Sequence, residues 1–119
     1  KTAISLELAK SLLEQKGEWD KKLTRIDPEK ILQAVANRFN LKTPLLKGPK
    51  RNKPLAFPRQ IIMYLLKTDC GYPYMEIGRV LGGRDHTTIM YGVEKISALL
   101  STDKKLAEDI SWIKREAWG

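Results

Sequence analysis

Residues 75–96 read MEIGRVLGGRDHTTIMYGVEKI. The pattern is helix, glycine turn, helix. Tyr74, Ile77, Val80 and Leu81 give a short first helix, and Gly82-Gly83 make the turn. A second helix starts around Asp85 and carries Ile89, Val93, Ile96 and Leu100 at steps of four, three and four. Such steps lay a single apolar stripe along a helix. The layout over residues 74–100 is that of a helix-turn-helix. The first turn of the second helix instead presents Arg84, Asp85, His86, Thr87 and Thr88, hydrogen-bonding groups with little reason to be buried. In this motif that end enters the DNA major groove. A carboxylate can accept from the cytosine amino group, and a threonine can hydrogen-bond or lay its methyl on a thymine methyl. Arg84 can hold a phosphate. The plainer reading is that Asp85 only caps the helix and the threonines only fill its first turn.

Working outward, helical periodicity dominates and strand alternation is nearly absent, so the expected fold is all-α with about six helices. Ser5–Gln15 carries Leu6, Ala9 and Leu13 on one side and ends at Gly17. The next helix has a marked start: Asp27 as cap, Pro28 in the first helical position, and Ile26 able to staple onto Ile31. Ile31, Val35 and Phe39 form its stripe, and Asn40 suits the left-handed residue that closes it. Residues 41–57, with Pro44, Pro49, Pro54 and Gly48, read as a loop. A central helix, apolar almost all round, is expected from Pro58 through Leu66. A last helix starts near Asp103 and buries Leu106, Ile110, Ile113 and Ala117.

A chain of 119 residues holds one domain and perhaps a flanking helix. One cysteine, Cys70, excludes an internal disulfide, and one Cys with one His cannot supply a multi-ligand zinc site on their own. The net charge of +8 is unevenly placed: residues 41–60 carry six basic and no acidic groups, whereas residues 61–119 are neutral overall. That stretch, LKTPLLKGPKRNKPLAFPRQ, suits a polyanion better than an even surface charge does. Lys50, Arg51 and Lys53 lie just before the central helix. Arg51 can reach a narrow minor groove, and Lys47 and Arg59 can touch phosphates. Loop and helix together would grip two adjacent grooves, so a monomer could read an asymmetric site. No G-x-x-x-x-G-K-[ST] loop is present, so no nucleotide is expected in this chain by that route. Asp85, His86 and the adjacent threonines diverge along one helical turn, which argues against nucleophilic chemistry.

GGRDHTTIM, with the preceding EIG and the following EKI, resembles the signature of the C-terminal DNA-binding domain of the bacterial chromosomal replication initiator family DnaA. FPRQIIMYLLK is similar to that family's central-helix segment, and the basic loop stands at the usual distance from it. The resemblance covers about residues 26–119 and implies a Trp-repressor-like helix-turn-helix domain. Residues 3–13 look like the tail of the lid of the family's AAA+ module, which makes residues 1–25 a linker helix. ATP would belong to that module, leaving this chain without a cofactor and without catalysis. The resemblance further implies binding to DnaA boxes, short asymmetric A·T-rich elements at the replication origin, in a bacterial cytoplasm. It would place Asp85, His86 and Thr87 at base edges, Thr88 at a base or the backbone, and Arg51 in the minor groove. Lys67, Arg59, Gln60 and Arg84 match positions that contact the DNA backbone.

Several residues depart from the family pattern. Pro49, Asn52 and Pro54 thin the basic loop, Tyr74-Met75 replace the usual Leu-Pro, and Gly92 replaces Ala or Ser. In a helix interior glycine costs up to ~1 kcal/mol. Two other readings follow from the same residues. A similar module attached to a transposase-associated or uncharacterised protein would have a different DNA target. The helix Ser5–Gln15, followed by Trp19, Lys21 and Lys22, would touch acidic membrane lipids weakly, although packing on a neighbouring domain is the simpler fate of its apolar face.

Overall fold

Asp27, Pro28 and Asn40 set both ends of the first helix in the computed structural model, which describes residues 26–48 and 53–119. The expected helix over Ser5–Gln15 and the 1–25 linker lie outside these residues. Helix α1 spans Pro28–Phe39, and the Asp27 carboxylate accepts from the Glu29 backbone N–H at 3.0 Å. Asn40 adopts the left-handed conformation at φ 58° and closes the helix onto the carbonyls of Ala36 and Asn37. Ile31, Leu32 and Val35 are buried, with Ile26 packed beside them as the staple requires.

The next stretch differs from its sequence reading. A short helix α2 forms at Thr43–Lys47, and α3 begins at Lys53 rather than Pro58, running to Thr68. Pro44 and Pro54 each fall in a first turn, where an amide N–H has no intrahelical partner to lose. Pro58 sits inside α3 and gives up one backbone bond. Tertiary packing holds the early turns regardless. Leu55 is buried, and Phe57 meets Phe39 edge-on, with ring centroids 6.3 Å apart.

Helices α4 (Tyr74–Val80), α5 (His86–Leu100) and α6 (Lys104–Trp118) complete the all-helical fold. No strand occurs among the described residues. Helix α3 is the central element. Its Ile61, Ile62, Leu65 and Leu66 are fully buried, and its most extensive packing is against α5, whose Ile89, Val93 and Ile96 form the inward stripe. Gly92 lies on that contact: a Cβ there would run into Met63 Sδ and approach Gln60 Cγ to 3.1 Å. The departure to glycine therefore lets α5 seat closely on α3, and the loss of helix propensity is set against that approach.

Helix α6 packs on α1 through Leu106, Ile110 and Ile113, with Asp103 capping its start by accepting from the Leu106 N–H at 3.0 Å. One charged pair is built into this contact. Asp109, 5 % exposed, accepts from Arg38 Nε at 2.9 Å and Nη2 at 2.8 Å, and the Arg38 guanidinium lies 5.2 Å from the Trp112 ring centre. Among the described residues no helix is long and apolar enough to cross a membrane.

Candidate nucleic-acid interface

The turn between α4 and α5 uses Gly82 and Gly83 at φ +86° and +89°, backbone that side chains disfavour. Gly82 has a second reason to be glycine. A Cβ there would collide with the Lys47 carbonyl oxygen, so the turn is pressed against the end of α2. That contact places the start of the basic loop beside the helix-turn-helix.

Asp85 occupies the N-cap position of α5, but its side chain makes no capping hydrogen bond. Its Oδ1 instead lies 3.4 Å from His86 Nδ1. The plainer reading of Asp85 as a cap therefore fails: the carboxylate is held outward. Asp85, His86, Thr87 and Thr88 are all exposed, forming one polar turn above the buried Ile89. The N-terminal end of a helix also carries unsatisfied N–H groups and the positive end of its dipole, which suits approach to a phosphate backbone.

Two arginines hold the end of α2 and Gly48, Arg84 from this turn and Arg59 from α3. Arg84, half-buried, donates from Nη2 to the Gly48 carbonyl at 2.8 Å and from Nη1 to the Leu81 carbonyl. Arg59 is 3 % exposed and donates to the carbonyls of Leu45 at 2.7 Å, Leu46 at 2.9 Å and Gly48 at 2.9 Å. These are the carbonyls that α2 leaves open at its C-terminal end, and a guanidinium fork fits several of them at once. Burial, and then the neighbouring Arg84 charge, lower the Arg59 pKa from its ordinary value.

The expectation that Arg59 touches a DNA phosphate is thus corrected. With α3 starting at Lys53, Arg59 falls in the second helical turn and faces the loop rather than solvent. Arg84 remains partly open but is shared between the turn and Gly48.

The other expected positions divide. Lys50 and Arg51, and the side chain of Lys53, lie outside the described residues. Lys47 pairs with Glu29, a solvated contact worth little and easily exchanged for a phosphate. Gln60 lines an open cleft of about 550 Å³ together with Arg84, Asp85, Thr88 and Tyr91, between the early turns of α3 and the face of α5. Its Oε1 is buried and finds no hydrogen-bond partner among the described residues. Lys67 stands apart, near the far end of α3, with Nζ 4.4 Å from the Tyr74 ring centre.

Sequence reasoning missed the two-arginine fastening, which joins residues far apart in the chain. It also passed over Tyr91, whose place opposite the Ile89–Val93–Ile96 stripe was a usable signal.

Comparison with known proteins agrees with this arrangement. The family described as the bacterial dnaA protein helix-turn-helix matches residues 28–96. A chromosomal replication initiator protein DnaA of Cereibacter sphaeroides is 45 % identical over 91 residues, covering 76 % of this chain and 20 % of that protein. The DnaA of Lactococcus lactis subsp. cremoris is 40 % identical over 114 residues, covering 95 % of this chain and 25 % of that protein. A crystal structure of a DNA replication initiation factor superposes with a TM-score of 0.65 at 25 % identity, over 89 % of this chain and 31 % of that one. The chain thus spans a fifth to a quarter of these curated relatives. The matched segment is a helix-turn-helix, a binding unit and not a catalytic one. By the extent of that match, the chain belongs to the bacterial DnaA helix-turn-helix family.

Proposed function

We propose that this chain binds double-stranded DNA sequence-specifically, as the box-reading part of an initiator of bacterial chromosome replication. The observation that carries the reading is the first turn of α5. Its Asp85 carboxylate is not used as a cap, and Asp85, His86, Thr87 and Thr88 stand together in solvent beside the root of a cationic loop. Asp85, His86 and Thr87 read base edges in the major groove, and Thr88 reads a base or the backbone. Arg51 enters the adjacent minor groove, and Lys47, Lys50, Lys53, Gln60, Lys67 and the open part of Arg84 meet phosphates. The target is a short, asymmetric, A·T-rich element, bound by one copy of the chain. The names of its relatives, chromosomal replication initiator proteins, support a role at the start of chromosome replication.

Two measurements test this reading. Replacing His86 with alanine is expected to cost on the order of 1–3 kcal/mol on the preferred duplex and to relax discrimination at one base pair. Equal loss on preferred and scrambled duplexes rejects His86 as a sequence reader. With four to six phosphates neutralised, log affinity is expected to fall against log salt with a slope of roughly −4 to −5. A flat response rejects the electrostatic half of the grip.

A further inference from the structure

The geometry points to Tyr91 as a phosphate-anchoring residue on α5, its hydroxyl donating to the sugar–phosphate strand that separates the two gripped grooves. This inference rests on the DNA-binding reading above and adds a contact to it. A loop in the minor groove and a helix in the neighbouring major groove are divided by one backbone strand, because adjacent grooves of a duplex share a strand as their common wall. In this domain the early turns of α3, which follow the loop in sequence, and α5 enclose the open cleft lined by Gln60, Arg84, Asp85, Thr88 and Tyr91. The strand therefore runs along it.

Tyr91 lies one helical turn beyond Thr88 on the cleft side and is 61 % exposed, which leaves its hydroxyl within reach of a bound strand. Its ring carries the hydroxyl further from the helix axis than Thr88 carries its own. The cleft is mixed: Ala56 and Met63 line it with Gln60, Asp85, Thr88 and the half-buried Arg84, whose charge favours a phosphate. A hydroxyl hydrogen bond to a phosphate displaces no counterion. That separates it from a lysine contact.

The test uses the whole 119-residue chain with Tyr91→Phe, which removes the hydroxyl and keeps the ring. Affinity is measured on the duplex preferred by the unaltered chain and on a scrambled duplex, at several salt concentrations. The expected result is binding weakened about 3- to 10-fold on both duplexes, with the salt slope and melting temperature unchanged. A scan replacing single phosphates of the preferred duplex by neutral methylphosphonate adds the location. One position is expected to weaken the unaltered chain and to cost the Tyr91→Phe variant nothing further.

Unchanged affinity of the variant overturns the assignment. So does a loss confined to the preferred duplex, or a methylphosphonate profile identical for the two proteins. Failure of the unaltered chain to prefer any duplex overturns the DNA-reading function itself, a separate outcome read from the same titrations.

Discussion

An Arg59→Ala variant is expected to lose about 2–4 kcal/mol of folding stability and to bind DNA weakly, with a shallower salt dependence as the loop's cations lose their phosphates. The buried guanidinium satisfies three carbonyls, on Leu45, Leu46 and Gly48. Alanine leaves the first two without this donor and releases the end of α2, while Arg84 alone keeps its hold on Gly48. For a domain of this size 1 kcal/mol corresponds to about 4–8 °C in melting temperature, so the drop is expected to be roughly 10–25 °C. The binding defect is indirect: the loop carrying Lys50 and Arg51 starts from Gly48, and an unfastened root lets it leave the groove. Lysine at position 59 is expected to restore only part of either property, since one ammonium cannot span three divergent acceptors as a planar fork does. Thermal melting decides between this role and a direct phosphate contact. If Arg59 only touched phosphate, binding would weaken while the melting temperature barely moved.

Arg38→Met is expected to destabilise the domain by about 2–4 kcal/mol, because it strands the Asp109 carboxylate in the contact between α1 and α6. Arg38 supplies two donors to one carboxylate oxygen, whereas Lys105 stands 3.9 Å from that oxygen, too far for a good hydrogen bond. The stacking of Arg38 on Trp112 is lost as well. The double variant Arg38→Met with Asp109→Leu is expected to recover much of the loss, since well-packed apolar side chains often replace a buried pair without penalty. Chemical denaturation of the two variants checks this. A single variant as stable as the unaltered chain would show that the pair contributes nothing. DNA affinity measured well below the melting temperature is expected to stay the same, because both residues lie away from α5.

Much of this domain was legible in residue order. The cap at Asp27, the helix start near Asp103, the left-handed Asn40, the double-glycine turn and the stripes of α1, α5 and α6 are local signals, and each appears where its chemistry demands. The stretch between Leu41 and Pro58 was not legible in the same way. Three prolines and a glycine suggest loop, but two of those prolines fall where a helix tolerates them, and burial of Leu55 and packing of Phe57 on Phe39 decide the outcome.

That shift of the α3 start by five residues also turned Arg59 from an expected surface cation into a buried fastener. At the interface, the exposed run Asp85–Thr88 could be foreseen from the inward phase of Ile89. The hold of Arg59 and Arg84 on Gly48 could not, because side chain to backbone bonds across 11 and 36 residues leave no periodic trace.

Selection from a pool of random duplexes with the 119-residue chain is the most direct measurement of whether the first turn of α5 and the cationic loop read DNA together. The expected result is a single asymmetric motif, with an A·T-rich side where Arg51 enters the minor groove and base-specific positions opposite Asp85, His86 and Thr87. Recovery of no motif, or of a palindrome requiring two copies of the chain, would contradict it.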